Sequence, residues 1–157
     1  KLGKLMEEDI NEIILRSIKL NKGQAMDFGV TIKTRLDANL PRFKCDQRRM
    51  KQILVNLISN AVKYSPANSN VEVSTIFVEK ENKIQIVVDD SGCCMSDEQI
   101  KIALMRYGTV ENENSGFVDS VGLGLPIVNQ LVREHGGNLI VESEVGVGTK
   151  VVVELFL

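Results

Sequence analysis

The chain has 157 residues, 43% of them hydrophobic and 25% charged, with a formal net charge of −2. That length suits one domain with a sizeable core, and the near-neutral charge excludes a bulk attraction to nucleic acid or anionic lipid. No apolar run approaches the roughly 20 residues of a membrane-crossing helix, and Cys45, Cys93, Cys94 and the lone His135 form neither a disulfide framework nor a zinc-type spacing.

The opening at Lys1, inside a helical pattern, reads as one piece of a longer protein, with a reducing cytoplasm as the expected compartment. Met6, Ile10, Ile13, Ile14 and Ile18 recur at helix spacing, so a leading helix is expected within residues 1–28. Gly29 can close it, and Val30, Ile32 and Leu36 then read as a strand. Asp46 is a good N-cap for a second helix, in which Met50, Ile53, Leu54, Leu57, Ile58 and Ala61 form one apolar stripe. Ser65-Pro66-Ala67-Asn68 ends that helix.

Two strands follow at Val71–Glu79 and Lys83–Asp90, joined by a short hairpin at Glu81-Asn82. The second is almost wholly apolar, as a central buried strand would be. Ser96 with Gln99 forms a capping box for a short helix to about Leu104. Residues 105–121 lack periodicity and are expected to form a mobile loop. Pro126 is expected in the first turn of a further helix that ends at Gly136-Gly137. Strands near Leu139–Ser143 and Lys150–Leu157, joined by Gly146-Val147-Gly148, complete the chain. The expected fold is a single α/β domain over 1–157, a two-layer α+β sandwich with helices on one face of a mixed sheet.

Several residues could carry chemistry. Asn56, Asn60 and Lys63 fall at i, i+4 and i+7, so they share a stripe beside the apolar one. Carboxamide oxygens suit magnesium and an ammonium suits phosphate, although such a stripe is equally an ordinary solvated face. Asp89-Asp90-Ser91-Gly92 ends the buried strand, where a carboxylate can accept from an exocyclic amine, or simply serve a turn. Gly122-Leu123-Gly124-Leu125 is expected to open a helix, where glycine amides can face phosphate. It matches neither the dinucleotide fingerprint nor a P-loop. His135 shares an apolar face with Ile127, Val128, Leu131 and Val132, which favours a packed or capping role.

Taken in order, these segments resemble the boxes of sensor histidine kinase catalytic domains. The run from Asn56 to Ser65 resembles the N box, and Asp90-Ser91-Gly92 the first glycine box. Leu104 to Asn112 is similar to the F box, and Gly122-Leu123-Gly124-Leu125 to the second glycine box. His135-Gly136-Gly137 and the run from Ser143 through Thr149 resemble the closing signature. The resemblance implies the Bergerat ATP-binding fold with a flexible ATP lid at residues 105–121, and ATP and Mg2+ as ligands. It implies that Asn60 binds magnesium, Asn56 positions the reacting γ-phosphate, Lys63 contacts phosphate and Tyr64 packs near adenine. Asp90 would take the adenine amino group beside Gly92, with Thr149 nearby. Gly122, Leu123, Gly124 and Leu125 would let the lid close.

The implied partners are a phosphoacceptor and dimerisation domain of the same parent, a homodimer that can carry a membrane anchor, and a response regulator. No nucleic acid is among them. Cys94 and Ser120 stand where the family has glycines, and Arg106 where proline is frequent. The lid carries Glu111, Glu113 and Asp119 and no Lys or Arg from Tyr107 to Val121. These departures keep open a second expectation, a pseudokinase scaffold acting through protein contacts.

Overall fold

The computed structural model describes residues 2–90, 115–144 and 148–157. Strand β1 (Met6–Glu8) leads into α1 (Ile10–Leu20) and α2 (Lys22–Phe28). Strands β2 (Thr31–Arg35) and β3 (Phe43–Cys45) precede the long helix α3 (Gln47–Lys63). Strands β4 (Asn70–Val78) and β5 (Lys83–Asp90) follow, then α4 (Ser115–Glu134), β6 (Asn138–Glu144) and β7 (Gly148–Phe156).

Five strands form one mixed sheet in the order β2-β4-β5-β7-β6, in which only β2 and β4 run parallel. Strand β5 is central, but it alternates rather than running apolar throughout, because Lys83, Gln85 and Asp89 fall on the face that none of the described helices covers. Its Ile84, Ile86 and Val88 are buried together with Val71 and Val73 of β4 and Val151, Val153 and Leu155 of β7. On that face lie α3, packed on β4 and β5, and α4, packed on β6. Helix α1 packs on α3 in turn. The period-2 alternation of the strands and the stripe of α3 thus bury the same core from two sides.

The ends of the helices follow from local chemistry. Asp46 has extended backbone and its carboxylate accepts from the amides of Arg48 and Arg49, satisfying two of the four donors at the start of α3. Gly29 closes α2 at φ 69, a conformation that costs glycine nothing. Asn82 takes φ 51 at the end of the β4–β5 hairpin, one of the few side chains that tolerates it.

Three sequence expectations need correction. Met6 is not part of the leading helix: it belongs to β1, which pairs antiparallel with β3 so that Met6 faces Cys45. The helical region is also split at Asn21, where the amide side chain bonds the carbonyls of Ser17 and Val55 instead of continuing the helix face. Finally, α4 begins at Ser115, so Pro126 lies inside it rather than in its first turn. Residues 115–121, expected in the loop, are therefore helical. Phe117, Val118, Val121, Leu125 and Val128 have the spacing of a helix stripe, although each glycine inside a helix costs about 1 kcal/mol. The capping box at Ser96 and its helix, Ser91 to Cys94, the segment 105–114 and Gly146-Val147 lie outside the described residues.

Candidate functional site

The site is assembled at one end of the sheet. Asp90, the last residue of β5, stands opposite Thr149 on β7 and Val71 on β4. All three point to the helix-bearing face, in the row beyond Val73, Val88 and Val151. Val71 and Thr149 are buried and Asp90 is half-buried. A carboxylate and a hydroxyl side by side in a largely apolar wall can read one polar edge of a planar group.

Helix α3 runs toward the same end. It finishes at Lys63, and residues 65–69 alone separate its C-cap Tyr64 from the first residue of β4. Five residues span at most about 18 Å, so the last turns of α3 stay close to the Asp90–Thr149 row. Ser65 ends the helix by donating its Oγ hydrogen to the Ala61 carbonyl, 2.7 Å away. Asn56 and Asn60 are half-buried at the margin of the apolar stripe, Lys63 is exposed, and Tyr64 packs partly against the core.

One atom in this stripe stands out. The Nδ2 of Asn60 is fully buried and has no hydrogen-bond partner among the described residues. A buried amide of this kind costs about 1–3 kcal/mol unless something accepts from it. Since the oxygen and nitrogen of a carboxamide are interchangeable by a flip, the group can offer a ligand either a donor or a hard oxygen. By its chemistry the carboxamide suits an oxyanion or a hydrated divalent cation.

Helix α4 returns along the sheet in the opposite sense. Gly136 closes it at φ 77, and Gly137 turns the chain into β6. From Glu134 back to Gly122 is about 18 Å of helix, close to the length of β6. This brings the Gly122–Leu125 segment toward the Asp90 end. Its amides lie within α4, not at its start as the sequence suggested, so they are engaged in the helix. Leu125 is buried in the core.

At the far end of the molecule His135 receives a structural role. Its Nδ1–H donates to the Leu131 carbonyl at 2.8 Å, and its Nε2 accepts from the Asp46 amide at 3.2 Å. The ring thus joins the last turn of α4 to the first of α3. The expected capping function is correct, but its partner, 89 positions away, had no signature in the sequence. Cys45 is fully buried and its thiol is pushed up to about 12, mainly by burial, so it is inert. Gly92 lies outside the described residues.

A family model described as histidine kinase-, DNA gyrase B- and HSP90-like ATPase matches residues 45–157. The chain belongs to this family. Within it, the chain is the ATP-binding catalytic domain of a sensor histidine kinase. It is 38% identical over 124 residues to the adaptive-response sensory kinase SasA of Prochlorococcus marinus, covering 77% of this chain and 31% of that protein. It is 32% identical over 150 residues to the histidine protein kinase DivJ of Caulobacter vibrioides, covering 94% and 24%.

The fold is similar to that of full-length ShkA in complex with AMPPNP, with a TM-score of 0.80 and 26% identity over 99% of this chain and 31% of the other. The catalytic domain of histidine kinase ThkA shares the fold at a TM-score of 0.81 and 24% identity, over 98% and 97%. The kinase domain described here thus spans roughly a quarter to a third of its curated relatives. Among its described residues no helix is long and apolar enough to cross a membrane.

Proposed function

We propose that the domain binds Mg-ATP and passes the γ-phosphate to a histidine carried by a separate dimerisation domain of the same parent protein. The observation that carries this reading is the partnerless buried amide of Asn60, on a helix that ends beside the Asp90–Thr149 pair. Adenine fits that pair, because its exocyclic amine donates to the Asp90 carboxylate while Thr149 hydrogen-bonds the ring edge. Tyr64 packs beside the base, with Gly92 allowing close approach. The phosphates then extend along α3, where Lys63 contacts them, Asn56 orients the γ-phosphate and Asn60 holds the cation. Magnesium at Asn60 would supply charge neutralisation between the phosphates. Catalysis of this transfer asks the protein chiefly for positioning and electrostatics, so carboxamides and an ammonium suffice.

Gly122, Leu123, Gly124 and Leu125 form the hinge over the phosphates. For their amides to face an anion, the first turns of α4 must open. Glycines at 122 and 124 lower the cost of leaving the helix, and Pro126 already lacks one helix donor. ShkA was crystallised with AMPPNP and ThkA with the response regulator TrrA. By analogy, a homodimeric parent with a response regulator as its next partner, working in the cytoplasm, is the setting proposed here.

The test is transfer from γ-labelled Mg-ATP to a separately prepared phosphoacceptor domain. Acid-labile label on its histidine is expected. Mg-ADP binding without any transfer would favour the scaffold reading, to which Cys94 and the acidic Glu111 and Glu113 point.

A further inference from the structure

Asp46 caps α3 and also ties that helix to two distant parts of the chain, at Gly3 and His135. Its Oδ1 caps α3 by accepting from Arg48 and Arg49. Its Oδ2 accepts from the amide of Gly3 at 2.7 Å. Its own amide donates to His135 Nε2. The residue is 8% exposed, and its bonds to Gly3 and His135 are part-buried. Gly3 sits against it closely: a Cβ there would lie 3.2 Å from Oδ2. A few residues on, β1 clamps the same region by pairing with β3, the strand that delivers the chain to Asp46.

The placement of this junction matters. Helices α3 and α4 pack on each other and run in opposite directions. Their far ends meet at Asp46 and His135. Their other ends carry Asn60 and Lys63 on one side and the Gly122–Leu125 hinge on the other. The two helices are thus the walls of the nucleotide site, and the distal hydrogen bond fixes one wall against the other.

We infer that the Gly3–Asp46–His135 chain of hydrogen bonds regulates the nucleotide site, by coupling the position of the segment at residues 2–8 to the disposition of α4 against α3. This rests on the nucleotide reading proposed above. The bistable element is the junction itself, made or broken. When residues 2–8 are pulled away, Asp46 loses the Gly3 amide and its backbone is freed to turn from His135. The end of α4 then loosens from α3. Coupling between two sites is reciprocal, so bound nucleotide must also tighten the Gly3 amide by the same factor. His135 acts here as a positioning residue, distant from the reacting atoms.

The experiment uses the whole chain with Mg-ADP as probe. Affinity is measured by calorimetry for the wild type, Gly3→Pro, His135→Phe and the double variant, and hydrogen exchange is followed at the Gly3 amide. Gly3→Pro removes the donor to Asp46 and sets a ring against Oδ2, so both changes open the junction. His135→Phe removes the acceptor, and His135→Gln restores one at similar reach. The expected result is about a fivefold loss of affinity in each single variant, no further loss in the double variant, and recovery in His135→Gln. Mg-ADP should slow exchange at Gly3 by about the same factor in the wild type and leave it unchanged in His135→Phe. A purely structural role would give additive losses and no nucleotide-dependent protection. If His135→Phe fails to fold, the Gly3→Pro affinity and wild-type exchange decide. Unchanged affinity in Gly3→Pro with unchanged exchange overturns this inference while leaving the nucleotide reading standing. No uptake of Mg-ADP by the wild type overturns both.

Discussion

A buried carboxamide with an unmade hydrogen bond is a cost to the folded chain, and at Asn60 nothing in the described structure offsets it. Replacing the group should therefore separate function from stability. Asn60→Ala is expected to abolish magnesium-dependent nucleotide binding. It should leave the nucleotide-free domain as stable as before or up to about 1 kcal/mol more stable. Paired thermal unfolding and titration, each with and without magnesium, checks this. A marked loss of stability with unchanged magnesium dependence would make Asn60 a packing residue. The stripe of Asn56, Asn60 and Lys63 was legible in the sequence, because helix spacing alone puts them on one side. The unpartnered Nδ2 was not, since it depends on what α3 meets after folding.

The elements that were legible are those with enough residues to show a period. Helix α3 stands where its stripe puts it, and β5 keeps the bounds expected of it, although only one of its faces is buried. Strands β1 and β3 have three residues each, too few for a period, and they find each other across the whole leading segment. Met6 thus fell into the phase of the helix that follows it. The start of α4 was hidden for another reason: two glycines and a proline are the usual marks of a helix end, and here they sit inside one.

The exit of α4 carries a sharper expectation. Gly136 has positive φ but open space around it, so Gly136→Ala should cost about 1 kcal/mol of backbone strain. At Gly137 a Cβ would come within 2.3 Å of the Glu154 carbonyl oxygen, a backbone atom of β7 that cannot swing aside. Gly137→Ala should cost about 2–3 kcal/mol, because β6 must move away from its partner strand. Urea unfolding of the two variants checks the order. Equal losses would mean that strand and helix end yield more easily than this packing allows.

Across the whole molecule, distant segments are tied by carboxylates. The amides of Phe77 and Asn39 hold Asp37 below its ordinary 3.8, and the amide of Gly3 does most to hold Asp46 below the same value. Lys83, 2.6 Å away, holds Glu154 below 4.5, with Gln85 and Asn138 adding to it on the uncovered face of the sheet. All three shifts are downward. Their contribution is therefore complete above the ordinary values and is lost as pH falls through the lower folded ones. Stability should be level near neutrality and decline below about pH 4. Asp46→Asn should flatten that decline, as read by unfolding midpoints across the acid range. An unaltered acid limb would show that the Gly3–Asp46 bond is absent in solution.

Whether one end of this sheet holds a magnesium-dependent adenine nucleotide site is decided by calorimetric titration of the chain with ADP, with magnesium present and then chelated. One site per chain is expected, occupied with Mg-ADP and lost or strongly weakened on chelation. Binding indifferent to magnesium, or no heat with either, would contradict it.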